Sequence, residues 1–198
     1  MGLTPPELIK QALGKHAVER VDGTGMMPAS VMILFYLKEG EYCILLNKRS
    51  EEVEHHKGEM SFPGGARDPE DKDSLDTALR ETEEEMGIKR EDVTVLGEMN
   101  EIVTRSNFQV SVFAGTIEYP YRFTPSAIEI AEVVEFPVSA LIDPINRRVE
   151  TRWVNGMPLT SYSYVHDEHV VFGATARILQ SCIEILDDRL ESEGHQVD

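Results

Sequence analysis

Arg80-Glu81-Thr82-Glu83-Glu84-Glu85-Met86-Gly87-Ile88 sets four carboxylates and one arginine ahead of a glycine. The stretch ends a segment, residues 73–86, in which Leu75, Ala78, Leu79, Thr82 and Met86 recur at spacings of three and four. That period predicts a helix with one apolar stripe, closed by Gly87 as its C-terminal cap. On such a helix Glu81 sits beside Glu84 and Glu85. Glu81 and Glu85 border the stripe at the edge of the fold, and Glu83 points to solvent. Like charges at this spacing oppose the helix only weakly, so a solvated acidic face is one reading. The other is a platform of hard oxygen ligands for Mg²⁺ or Mn²⁺.

The segment before the helix bears on that choice. Phe62-Pro63-Gly64-Gly65 places two consecutive glycines where a backbone carbonyl or amide can approach a ligand closely. From Ser61 to Gly65 the chain is expected to continue no regular element. No Gly-Lys-Ser or Gly-Lys-Thr follows, so this is not a phosphate-binding P-loop. Phosphate handling here would rest on metal.

Working outward, Thr4-Pro5-Pro6-Glu7 is a capping-box start for a helix running to about Leu13. Ala29–Leu37 and Tyr42–Leu46 read as strands around a turn at 38–41, with a loop over 48–60. Val93–Leu96, Phe108–Ile117 and Val133–Phe136 read as further strands, and Pro137–Leu141 as one helical turn. Asn155-Gly156 is a hairpin signal. Ala174–Leu190 is the longest helix, its buried face made by Ile178, Leu179, Cys182, Ile183, Leu186 and Leu190, and residues 191–198 are expected to fray. The mixture of elements predicts one α+β domain with a mixed sheet spanning residues 1–198, with 1–28 as N-terminal helix and lead-in.

Composition bounds the function. Against 19 basic residues stand 36 acidic ones, a net charge of −17. Such a surface repels nucleic acid backbone, yet a small anionic substrate is still open, because metal ions supply local positive charge. No apolar run has the length of a membrane span, and the N-terminus lacks a secretory signal, a myristoylation pattern and a basic start. Cys43 and Cys182 read as buried free thiols, consistent with a reducing, cytoplasmic compartment.

Gly65, Arg80-Glu81, Glu84-Glu85 and Gly87-Ile88 together resemble the Nudix box. Two departures show: Thr82 stands for an aliphatic residue, and the interval from Gly65 to Arg80 is one residue longer than the pattern. Asp71 keeps the spacing from Gly65 and Lys72 that from Arg80, and Asp71 is taken as the counterpart of the first glutamate. Leu45-Leu46-Asn47-Lys48-Arg49-Ser50, His56 to Gly65, Thr77-Ala78-Leu79-Arg80-Glu81 and Phe172-Gly173-Ala174-Thr175-Ala176-Arg177-Ile178-Leu179 are similar to the signature of the coenzyme A pyrophosphatase subfamily. Glu54 stands where that signature has arginine, which bears on substrate preference.

The resemblance implies an α/β/α sandwich around a mixed sheet and Mg²⁺- or Mn²⁺-dependent hydrolysis of a diphosphate. For coenzyme A the products are 3′,5′-ADP and 4′-phosphopantetheine. It implies Glu81 and Glu85 as principal metal ligands, Glu84 as a further or water-mediated ligand, the Gly65 carbonyl as a completing one, and Arg80 as the group that orients the acids. A glutamate of the box or Glu129, in an acidic loop ahead of a strand, is the base; the alternative for Glu129 is a surface acid. Arg49, His56, Gly64 and Gly65 are the substrate-binding candidates, with an ion pair as the alternative for Arg49 and a solvated His55-His56 pair as that for His56. Trp153, Tyr162 and Tyr164 are expected in core or hairpin packing rather than adenine stacking, and Arg177 in a local pair. Other readings are hydrolysis of ADP-ribose or another nucleoside diphosphate derivative, and a non-catalytic Nudix-like sensor or protein-binding domain. Retention of all three box acids favours activity. A homodimer is left open.

Overall fold

The computed structural model describes residues 3–52, 56–154 and 156–194, with side chains through residue 186. Glu54, His55, Asn155 and residues 195–198 lie outside the described residues, as does the side chain of Leu190.

Two parallel strands centre a mixed sheet. β1 (Met27–Lys38) pairs in parallel with β6 (Phe108–Thr116), and β2 (Glu41–Arg49) returns antiparallel to β1. β5 (Thr94–Val103) is antiparallel to β6, and β7 (Ile130–Pro137) to β2. Two short strands, β3 (Met60–Ser61) on β2 and β4 (Gly64–Ala66) on β1, complete seven. They correct the expectation that Ser61 to Gly65 joins no regular element. Glycine reads as a breaker in sequence, but here it lets two backbones meet. A Cβ on Gly64 would strike the Ser30 carbonyl of β1.

Helices cover both faces of the sheet. Met32, Leu34 and Tyr36 of β1 pack with Ala78 and Met86 of α2 (Ser74–Met86). The intervening Ile33 and Phe35 join a second cluster with Leu8 and Ile9 of α1 (Pro5–Leu13) and with Ile178, Leu179 and Cys182 of α4 (Gly173–Gly194). Burial on both faces is why β1 reads as an unbroken apolar run rather than an alternating one. α1 starts with the expected capping box, Thr4 N–H donating to Glu7 Oε2 at 2.8 Å. The short α3 (Val138–Ile142) follows β7 directly.

Elsewhere the structure departs from the expectations. β5 runs on to Val103, beyond the predicted Leu96; register shifts at Val95/Gly97 and Met99/Ile102 break the alternation by which a strand is recognised. A separate three-stranded antiparallel sheet, β8 (Arg147–Val154), β9 (Met157–His166) and β10 (His169–Val171), flanks the hairpin signal. Tyr164 is buried there, its hydroxyl donating to Gln180 Oε1 of α4 at 2.5 Å. Trp153 is 75% exposed, not packed as expected, because it lies near the hairpin tip beyond the body's reach. Residues 191–194, expected to fray, continue α4. Arg177 Nη1 donates to the Val103 carbonyl at 2.9 Å, a contact across to β5 rather than a local pair. No helix among the described residues is long and apolar enough to cross a membrane.

Candidate active site

α2 is fixed at both ends, and that fixes where its acids lie. The Asp73 side chain caps the start by accepting from Asp76 N–H at 2.8 Å. Gly87 ends it in the left-handed region at φ 68°, its N–H donating to the Glu83 carbonyl at 2.9 Å. A loop from beyond β6 then closes over that end. Thr124 N–H donates to the Met86 carbonyl at 3.0 Å and Ser126 N–H to that of Glu85 at 2.8 Å. The last carbonyls of α2 thus find partners.

That loop also carries Glu129, whose carbonyl accepts from Ser50 N–H at 2.8 Å at the end of β2. Glu129 is exposed, yet near enough to Glu81 and Glu85 to disfavour their ionised forms.

Glu85 is 4% exposed, deeper than the edge position expected, because β4 and β2 close over it. Its Oε2 accepts from Gly64 N–H and from Asn47 Nδ2, both at 3.1 Å, and Arg49 Nη1 lies 3.8 Å from Oε1. Burial pushes the Glu85 carboxyl up to about 7, against the pull of the Gly64 amide and Arg49. Burial also raises Glu81, with Arg80 opposing and Glu84 and Glu129 adding to the rise. The Glu81 carboxylate lies against the backbone of Gly65: a Cβ there would stand 2.5 Å from its Cδ and Oε1. Only glycine leaves this approach open.

Arg80 is the hub that holds the acids. Its Nη1 donates to Glu81 Oε1 and Glu84 Oε2, each at 2.9 Å. Nε and Nη2 clasp Asp71 Oδ1 and Oδ2 at 2.8 and 3.0 Å, and Nη2 reaches the Ala66 carbonyl at 3.1 Å. This fork geometry suits arginine and not lysine. Asp71 is buried, also accepts from Thr77 Oγ1 at 2.9 Å, and is held well below the usual carboxylate range chiefly by Arg80. The extra residue between Gly65 and Arg80 therefore leaves an acid facing the arginine. Glu84 is more than half exposed and meets Arg80 alone among the groups described.

Sequence reasoning passed over Asn47 and Ser61. Asn47 is fully buried between Glu85 and the Ser61 hydroxyl, which donates to its Oδ1. An amide inside the apolar run of β2 was the available signal, since a buried amide needs partners.

A cavity of about 1090 Å³ opens from Gly64 and Gly65, beyond the upper range of about 1,000 Å³ usual for small-molecule pockets. Phe62, Ile102, Phe108, Val110 and Ile178 give it apolar walls, while Arg49, His56, Arg105 and Arg152 give it cationic or protonatable ones. His56 is exposed, at φ 57°, with Nδ1 3.0 Å from Glu59 Oε2 and Nε2 3.3 Å from Ser106 Oγ. The structure thus gathers Glu81, Glu85, Arg80, Gly64, Gly65, Arg49 and Glu129, with Glu84 and His56 at the margins. A separate group, Glu132 on β7, Glu168 in the β9–β10 turn and His169 on β10, has ligand atoms within 4.8 Å of one another.

Residues 26–153 match the family model of the NUDIX domain. An uncharacterized Nudix hydrolase of Pectobacterium atrosepticum, NudL, is 34% identical over 149 residues, 74% of this chain and 76% of its own. The mitochondrial coenzyme A diphosphatase NUDT8 of Mus musculus is 33% identical over 163 residues, 80% of this chain and 77% of its own. Among solved structures, the NUDIX domain of Shewanella oneidensis NrtR, complexed with ADP ribose, superposes with a TM-score of 0.50 at 17% identity, covering 91% of this chain and 97% of that one. At such identity the likeness speaks to the fold.

Proposed function

This chain belongs to the Nudix hydrolase family, and from that premise we propose that it cleaves the diphosphate of coenzyme A or its thioesters in a metal-dependent reaction. The products are 3′,5′-ADP and 4′-phosphopantetheine or its acyl form. The observation that carries the reading is Glu81 against Gly65 and Glu85 on the Gly64 N–H, at two glycines that line a large cavity with cationic and apolar walls. Likeness to a coenzyme A diphosphatase over most of the chain supports the substrate.

The residues fit a divalent ion. Two carboxylates whose ionised forms are disfavoured by burial and by neighbouring acids favour a cation beside them, and the glycine at position 65 leaves its carbonyl approachable. Glu81, Glu85 and the Gly65 carbonyl would hold Mg²⁺ or Mn²⁺, with Glu84 further out. When bound, such an ion neutralises phosphate oxygens and makes a water more acidic.

The chain supplies the rest. Arg80 keeps Glu81 and Glu84 oriented. Arg49 and His56 meet the substrate's phosphates from the cavity wall. Glu129 takes the proton of the attacking water; its loop is tied to both β2 and the end of α2, which keeps it near the acids without burying it among them. The apolar walls accept the pantetheine arm. Two buried thiols suit a reducing compartment such as the cytoplasm.

Glu54, an acid where the subfamily signature has arginine, bears against coenzyme A, so ADP-ribose or another nucleoside diphosphate derivative is the second reading. The test is hydrolysis of coenzyme A, ADP-ribose, NADH and nucleoside triphosphates with Mg²⁺ or Mn²⁺, the products resolved by chromatography. Metal-dependent release of 3′,5′-ADP well above all other turnover is expected. Turnover of another substrate alone moves the assignment to the second reading. No turnover of any substrate overturns both.

A further inference from the structure

β8 is the outer strand of the three-stranded sheet. It pairs with β9 along its whole length, and among the described residues no strand pairs with its other edge. Residues 148–154 are all exposed, among them Val149 and Trp153. An open edge of this length, with apolar side chains, is a template for a further strand.

The strand's own sequence says which strand fits. We infer that the outer edge of β8 pairs antiparallel with β8 of a second copy of this chain, about a two-fold axis beside Thr151. A two-fold axis normal to a continuous sheet keeps each residue on its own face, so the axis must pass beside a residue rather than between two. Beside Glu150 it would set Glu150 against its own copy and Arg148 against Arg152. Beside Arg152 it would set that arginine against itself. Beside Val149 it joins Arg148 to Glu150 but leaves Trp153 and Val154 beyond the partner strand.

Beside Thr151 every major pair is complementary and occurs twice: Glu150 opposite Arg152, and Val149 opposite Trp153. Opposite charges and aromatic–β-branched pairs are the cross-strand contacts that stabilise sheets. Arg152 Nη2 already donates to Glu150 Oε2 at 2.6 Å within the strand, so pairing makes a ring of two acids and two arginines. Charge at larger scale agrees. In a chain of net charge −17, β8 carries Arg147, Arg148 and Arg152 against the single acid Glu150. Two acidic copies meet there with least repulsion. The joined sheet has six strands, and it braces the hairpin whose Glu150 and Arg152 line the large cavity.

The test is sedimentation velocity of the full chain across a concentration series, with Glu150→Arg and the double variant Glu150→Arg/Arg152→Glu alongside. A dimer is expected. Glu150→Arg turns two attractive pairs repulsive and weakens it roughly tenfold or more, and the double variant restores it. Cys43 and Cys182 are buried, so a cysteine placed on β8 is the accessible thiol. Thr151→Cys is expected to form a disulfide-linked dimer on mild oxidation, and Glu150→Cys to cross-link with Arg152→Cys rather than with itself. A monomer at every concentration, a dimer indifferent to Glu150→Arg, or failure of the double variant to rescue overturns the inference. Circular dichroism shows that each variant is folded.

Discussion

Glu85 and Asp71 are both buried acids with opposite electrostatics, so the role proposed for Glu85 can be tested apart from the structural one of Asp71. Among the described residues the partners of Glu85 are an amide, a backbone N–H and an arginine at 3.8 Å. Glu85→Gln keeps an oxygen that accepts from Gly64 while removing a buried charge. Metal-dependent hydrolysis should fall roughly a hundredfold or more, while the urea midpoint of the metal-free protein should stay level or rise. A variant that keeps its activity would remove Glu85 from the site. Asp71 is stabilised in its ionised form by Arg80, so its folded pKa lies below the unfolded value near 3.9. The stability it contributes is complete above about pH 4 and is lost as pH falls through the folded value. Asp71→Asn should cost about 2 kcal/mol at pH 7 and flatten the decline of the urea midpoint between pH 5 and pH 2. An unchanged acid limb would show that Asp71 is not the linked group. Neither role was equally plain in the sequence. The acids of α2 follow from its period, but the burial of Glu85 depends on Asn47 and Gly64, which only the sheet brings to it.

Elements differ in how far their sequences disclose them, and the reason is the face they bury. α2 repeats its apolar residues at helical spacing and carries both caps, so its limits and acidic face are legible. β1 is apolar throughout because helices cover both sides of it. β8 buries neither face, so no alternation marks it, and its exposed Trp153 reads misleadingly as a residue packed in the core or the hairpin. β4 is the harder case. Its two glycines look like a turn, yet they are a strand that sets Gly64 N–H on Glu85 and the Gly65 backbone on Glu81. The close approach is testable. Gly65→Ala would put a methyl 2.5 Å from Glu81 Cδ, and the carboxylate must shift. Misplacement of about 1 Å at a reacting centre costs on the order of a hundredfold in rate. Hydrolysis should fall by that order, while the urea midpoint shifts by the equivalent of about 1 kcal/mol or less. Full activity would mean that the carboxylate's seat on the glycine has no part in the reaction.

At the scale of the whole molecule, a net charge of −17 and a concentrated acidic site answer to cations in different ways. Any salt screens the general self-repulsion and stabilises the fold, with little regard to the ion's identity. A divalent ion held as proposed by Glu81 and Glu85 would add a second effect, because it would bind the folded chain and not the unfolded one. At one hundred times its dissociation constant that contribution is about 2.7 kcal/mol. For a chain of this length each kcal/mol moves the melting temperature roughly 2–4 °C. Mg²⁺ should therefore raise the melting temperature roughly 5–10 °C above a sodium chloride control of equal ionic strength. Glu81→Gln should erase most of that excess while keeping the shift produced by sodium chloride. Scanning calorimetry separates the two, since the general effect is common to both proteins and the specific one belongs to the intact site. If Mg²⁺ and sodium chloride act alike on the unaltered chain, the metal platform is wrong. If the excess survives in Glu81→Gln, the ion is held elsewhere, and the group around Glu132, Glu168 and His169 is then the place to look.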